Sequence, residues 1–153
     1  MQIVKTILKV LLVVLIAIQF IRPARNVSGQ LLATDITAKA SVPDTVLNIL
    51  KTACYDCHSN NTRYPWYTNI QPVAWMMANH VRDGKADLNF SEFGSYSKRK
   101  QANKLRSISE SVSEGSMPLS SYTLMHKDAR LDEVQKKTIM EWAKKTRDSL
   151  TAR

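Results

Sequence analysis

The segment Cys54-Tyr55-Asp56-Cys57-His58 holds both cysteines of the chain and one of its three histidines. Side chains three apart on a helical turn lie on the same face. Two thiols so placed can each form a thioether to one of the two vinyl groups of a single porphyrin. The residue that follows then turns an imidazole toward the iron. C-x-x-C-H is the attachment signature of c-type haem, so Cys54 and Cys57 are expected to hold one haem c covalently, with His58 as proximal iron ligand. Other chemistries fit less well. A tetrahedral zinc site needs four ligands; Cys54, Cys57, His80 and His126 supply that number, but no second cysteine pair accompanies the first. A thioredoxin-type redox pair needs a βαβ context, and no strand pattern precedes Cys54. A disulfide closing so short a loop would stabilise little.

The iron's other face needs its own ligand. Met117 is the first choice: it lies 59 residues after His58, in the turn Gly115-Ser116-Met117-Pro118-Leu119, where Pro118 fixes the backbone. Histidine with methionine raises the haem potential and suits electron transfer. His80 is the leading alternative, then His126 and Met125. Met76 and Met77 lie on an apolar helical face and read as core. Tyr64, Trp66 and Tyr67 follow the motif in a loop and are candidates for the porphyrin edge, offering an O–H or N–H to a propionate.

These residues need elements to position them. Pro43 and Asp44 suit a helix start, and Val46, Leu47, Ile49, Leu50 and Ala53 give an apolar face running straight into Cys54. Residues 59–71 carry loop chemistry. Pro72 to Val81 reads as a second helix stopped by Gly84, and Ser97 to Glu114 as a third with the narrow stripe Ala102, Leu105, Ile108 and Val112. Residues 88–93 fit no pattern, and Tyr122 to Arg130 reads as loop. Asp132 is a good N-cap for a last helix to about Leu150 that buries Val134, Ile139, Met140, Trp142 and Ala143. The fold class is all-α, a haem domain of about four helices with long loops over residues 43–153.

Ahead of it, residues 1–22 form an export segment: Lys5 and Lys9 precede the apolar run Val10 to Ile21. The 19 residues from Ile3 to Ile21 approach a bilayer span, and no small-x-small cleavage site follows closely. The expectation is therefore an N-terminal membrane-spanning helix, uncleaved, anchoring the haem domain in the periplasm. Cleavage would instead leave a periplasmic or secreted protein. Residues 23–42, with Pro23, Ser28 and Gly29 and no sustained period, read as a linker.

Composition narrows the partners. The 153 residues amount to one domain, and 44% hydrophobic content permits a packed core. The formal charge is +9, which favours an acidic protein partner or an anionic membrane face. No basic stripe is interleaved with stacking aromatics, which argues against nucleic acid.

Several segments in fixed order resemble the bacterial haem-binding domain family, small exported proteins similar to cytochromes c. They are Cys54 to Asn60, Tyr64-Pro65-Trp66-Tyr67, His80-Val81, Leu88 to Glu92, Met117-Pro118-Leu119 and Tyr122 to His126. The resemblance runs from about Val42 to Ala143 and implies haem binding. The wider cytochrome c pattern implies a helix entering C-x-x-C-H, a distal Met-Pro and a terminal helix near the first. A longer mid-section departs from that pattern and puts His80 inside a family segment. The leading expectation is a membrane-tethered c-type cytochrome that carries single electrons in the periplasm to a redox protein and is not itself an enzyme. The alternatives are a haem sensor or peroxidase-like protein with an open distal site, and a non-haem C-x-x-C redox or zinc protein.

Overall fold

Asp44 to Ala53 is helical as its apolar spacing requires, with Pro43 at the N-cap. The computed structural model describes residues 1–152, and its regular structure is helical throughout. The helices are α1 (Gln2–Ile18), α2 (Ile36–Lys39), α3 (Asp44–Ala53), α4 (Tyr55–His58), α5 (Val73–Asp87), α6 (Lys98–Ser113), α7 (Ser120–Met125) and α8 (Glu133–Thr151). Short 3₁₀ turns lie at Trp66–Asn69, Phe90–Ser95 and Lys127–Ala129. The all-α class holds, but with eight α-helices among the described residues where about four were expected. The additional ones include the short helices α2, α4 and α7, of four to six residues, too brief to show a period.

The frame is α6 packed along α8, with α3 against both α8 and α4. Asp132 caps α8 through a reciprocal capping box with Gln135, and Ser97 caps α6. Trp142 of α8 donates its indole N–H to the Ser41 carbonyl at 3.1 Å, tying the last long helix to the entry of α3. Leu50, Leu105 and Ile139 are fully buried. Leu88, Phe90 and Phe93, from the segment without a pattern, also enter the core. A 3₁₀ turn repeats every three residues, which neither the strand nor the α-helical template detects. Val134, expected inside, is 74% exposed.

Two further expectations are corrected. No helix among the described residues is long and apolar enough to cross a membrane, so the N-terminal membrane-spanning helix is not supported. α1 has 17 residues, contains Lys5 and Lys9, and ends before Gln19. Gln19 is taken up by the domain: its Oε1 accepts the Gln71 N–H at 2.9 Å, and the Gln71 side chain donates to the Ile21 carbonyl at 2.7 Å.

Residues 23–42 are not a free linker either. Ile36 is fully buried in the core. Asp35 caps α2 through the Thr37 N–H. Asn26 donates its amide to the Ser59 carbonyl and to Thr62, and accepts from Lys85. The segment lacks a period because polar side-chain bonds to loop backbone, rather than an apolar face, hold it.

α5 runs through Gly84 to Asp87 instead of stopping there. A Cβ on Gly84 would lie 2.7 Å from the Cys57 carbonyl oxygen, so this glycine serves a close approach between helices.

Candidate haem-binding site

α3 and α4 meet at Cys54, which has φ −125° and ψ −39° and is the C-cap of one helix and the N-cap of the next. The bend presents Cys54, Cys57 and His58 together. Both cysteines are free and half-buried. Burial pushes the Cys54 thiol up to about 12, with Cys57 adding to the shift. Burial also pushes Cys57 up to about 11, helped by the Asp56 carboxylate. Both thiols therefore stay protonated at neutral pH.

His58 is oriented by main chain. Its Nδ1 lies 3.0 Å from the Leu88 carbonyl oxygen. A carbonyl can only accept, so the proton sits on Nδ1 and Nε2 is left with its lone pair for a metal, the arrangement that fixes tautomer and ring direction in metal-bound histidines. Leu88 caps the C-terminus of α5, where its N–H donates to the Gly84 carbonyl. The helix that rests on Cys57 thus also sets the imidazole.

The motif's spacer residues are structural. Asp56 is 3% exposed. It accepts from the Arg63 backbone N–H at 3.1 Å, from the Arg63 guanidinium and, at 2.7 Å, from the Tyr122 hydroxyl. Tyr122 stacks on His126 with ring centroids 4.2 Å apart, and His126 in turn bonds Tyr67. Asp56 therefore pins α7 over the motif. Tyr55 stacks on Phe90 at 5.1 Å.

Two cavities, both open to solvent, share Ala53, Cys54, His58, Met117 and Pro118 as lining. Both are mostly apolar and adjoin one another at these shared residues. Met117, 37% exposed, is on the wall with His58, and its N–H is held by the Ser111 carbonyl. His80 lines the part that includes Cys57. A third cavity beside Cys57 takes in Tyr67, His80, Met125 and His126.

The sequence candidates divide accordingly. Cys54, Cys57, His58, Met117 and His80 are brought together. His126 and Met125 lie one cavity further out, with His126 committed to Tyr67 and Tyr122. Tyr64 is elsewhere: its hydroxyl accepts the Asn26 N–H at 2.7 Å, and Arg25 lies over its ring, so it clamps residues 23–42. Trp66 is 74% exposed and lines none of these cavities. Met76, read as core, is 54% exposed. The Leu88 carbonyl was not legible because a main-chain acceptor has no residue type. Tyr122 and Gly84 were in view but were read as part of a resemblance segment and as a helix stop.

The donor set fits a haem: two free thiols on one turn, an imidazole with its free nitrogen fixed, and an apolar slot. The chain was compared with known families, curated proteins and solved structures. No curated protein and no solved structure matches it. A family model described as a haem-binding domain matches residues 13–145, and on that match over most of its length the chain belongs to the haem-binding domain family.

Proposed function

We propose that this haem-binding protein is a c-type cytochrome that carries single electrons. The observation that carries the reading is the pair of free thiols beside an imidazole whose Nδ1 is held by Leu88. A haem here would supply a reversible one-electron iron couple. Cys54 and Cys57 would hold it by adding their S–H groups across its two vinyl double bonds, each sulfur gaining a carbon and each proton going to the neighbouring vinyl carbon, with no net oxidation. His58 Nε2 and Met117 would be the protein ligands of its iron. The apolar walls would pack against the ring. Exposed Lys98, Arg99 and Lys100 on α6 support an acidic redox partner. Residues 1–22 act as an export segment, and attachment takes place in the periplasm.

The test is co-expression with haem-attachment machinery, followed by a haem stain on a denaturing gel. A stained band is expected; a colourless one ends the reading. The oxidised protein should be low-spin with the weak far-red band of thioether-ligated iron, and Met117→Ala should lose that band. Retention of the band would remove Met117 as ligand. His80 lines the same part of the slot and supports a second reading, bis-histidine ligation, for which His80→Ala rather than Met117→Ala would change the spectrum.

A further inference from the structure

Away from the candidate haem site, one surface hollow gathers cations. Arg25, Arg82 and Lys85 line it together with Asn26 and Tyr64, and among the described residues no carboxylate does. An adjoining hollow shares Arg25 and Tyr64 and adds Arg22. α5 contributes to both places with different residues: His80, Asp83 and Gly84 line the cavity at Cys57, whereas Ala78, Val81, Arg82 and Lys85 line the hollow. The cations are linked by contacts. The Arg25 guanidinium lies over the Tyr64 ring, 5.1 Å from its centre. The Tyr64 hydroxyl accepts the Asn26 N–H at 2.7 Å, and the Asn26 side-chain oxygen accepts from Lys85 Nζ at 2.6 Å. The Asn26 amide nitrogen donates to Ser59 and Thr62, so its oxygen is fixed toward Lys85.

Lys85 is half-buried, and a cation drawn out of water is ordinarily offset by a counter-charge. Neutral amides stand in that place here, Asn26 for Lys85 and Asn69 for Arg25. Among the described residues neither cation has a carboxylate within ion-pair distance. Arg82 pairs only with its neighbour Asp83, and the two side chains are 70% and 67% exposed, a pair too weak to hold the guanidinium in one place. Two guanidiniums and an ammonium around one hollow can donate to several oxygens at once, which a phosphate group offers and a single carboxylate does not. We propose that the hollow between residues 22–26 and α5 binds a phosphate group, with Arg25, Arg82 and Lys85 as its donors and Asn26 holding Lys85 in place. The phosphate comes from a soluble compound or from a lipid headgroup. The second source arises because α1 has no buried residue and ends at Ile18, close to Arg22. This inference does not rest on the haem reading above.

The experiment uses the full chain as wild type, Arg82→Gln, Lys85→Gln and, as a charge control at an exposed position of α8, Lys144→Gln. Each is titrated with inorganic phosphate by calorimetry. Each is also sedimented with vesicles of phosphatidylglycerol and phosphatidylcholine in equal parts, with pure phosphatidylcholine vesicles as reference. The wild type should bind in at least one arm. Removing one donor in Arg82→Gln or Lys85→Gln should weaken that binding roughly tenfold, and Lys144→Gln should leave it unchanged. Saturable heat with inorganic phosphate assigns a soluble phosphate; a response confined to the phosphatidylglycerol vesicles assigns a lipid headgroup. Contact of α1 with lipid is common to all of these proteins and cancels in the comparison. No binding by the wild type in either arm overturns the proposal, as does binding that survives in both Arg82→Gln and Lys85→Gln. Equal weakening in Lys144→Gln overturns it too, since that would report net charge alone. Should Lys85→Gln fail to fold, Arg82→Gln decides, because the Arg82 side chain bonds only the exposed Asp83.

Discussion

Asp56 is the residue by which the binding turn and its cover depend on each other, and the cost of removing it can be worked bond by bond. Three donors converge on its carboxylate: the Arg63 N–H, the Arg63 guanidinium and the Tyr122 hydroxyl. The ion pair is the weakest of the three. The Arg63 side chain is 54% exposed, and pairs with one end in water contribute about 0.2–1 kcal/mol. A hydrogen bond to a charged group contributes about 1.5–3 kcal/mol; for the half-buried Tyr122 hydroxyl the low end applies. The Arg63 N–H is main chain and loses its only acceptor. Arg63→Ala should therefore cost less than about 1 kcal/mol, Tyr122→Phe about 1–2 and Asp56→Ala about 3. In a domain of this size each kcal/mol moves the melting temperature by roughly 2–4 °C. Thermal unfolding followed at 222 nm, run as a double-mutant cycle between Asp56→Ala and Tyr122→Phe, should give a coupling of about 1 kcal/mol or more. If Arg63→Ala costs as much as Asp56→Ala, the ranking of buried hydrogen bonds above the exposed ion pair is wrong. Additivity of the two variants would mean that α7 is not held by Asp56.

Three other outcomes are expected. The chain without haem should lose stability as pH rises above about 9, because its thiols keep their protons to about 11 and 12 when folded while the unfolded chain releases them. The folded state then binds more protons, so the slope is negative, of order 1 kcal/mol per pH unit per thiol. Tyr55 and Tyr122, both raised first by burial, act in the same direction. Urea melts at pH 8 and 10 check this, and a flat profile counts against buried thiols. Gly84→Val should destabilise by about 2 kcal/mol or more through overpacking and reduce haem attachment; a neutral melt would show that α5 does not rest on Cys57. Tyr55→Phe should stabilise by about 1 kcal/mol, since the Tyr55 hydroxyl is buried without a partner, and a lower urea midpoint would contradict that.

What could be read from the sequence was whatever repeats or carries a distinctive side chain. The apolar spacing of Val46 and Leu50 and the Asp132 cap each predicted their element, and the C-x-x-C-H segment pointed to haem binding. Residues 23–42 were misread because Asn26 and Asp35 act through bonds to distant backbone, which leaves no period. Phe90 and Phe93 were missed because a 3₁₀ turn has a period of its own. Tyr64 was assigned by nearness in sequence, yet the loop turns it toward Asn26. The apolar run from Ile3 to Ile21 approached a span, but the helix α1 ends at Ile18 and falls short of one.

The His58 tether has a consequence for variation. The acceptor is the main-chain oxygen of Leu88, so no exchange of side chain at that position deletes it. The same residue's side chain is 6% exposed within the hydrophobic cluster. A change of volume among those core neighbours therefore reaches the imidazole as a displacement rather than as a lost bond. In this protein the direction of the ring is adjusted by how the interior fills, several residues away from any group that touches it.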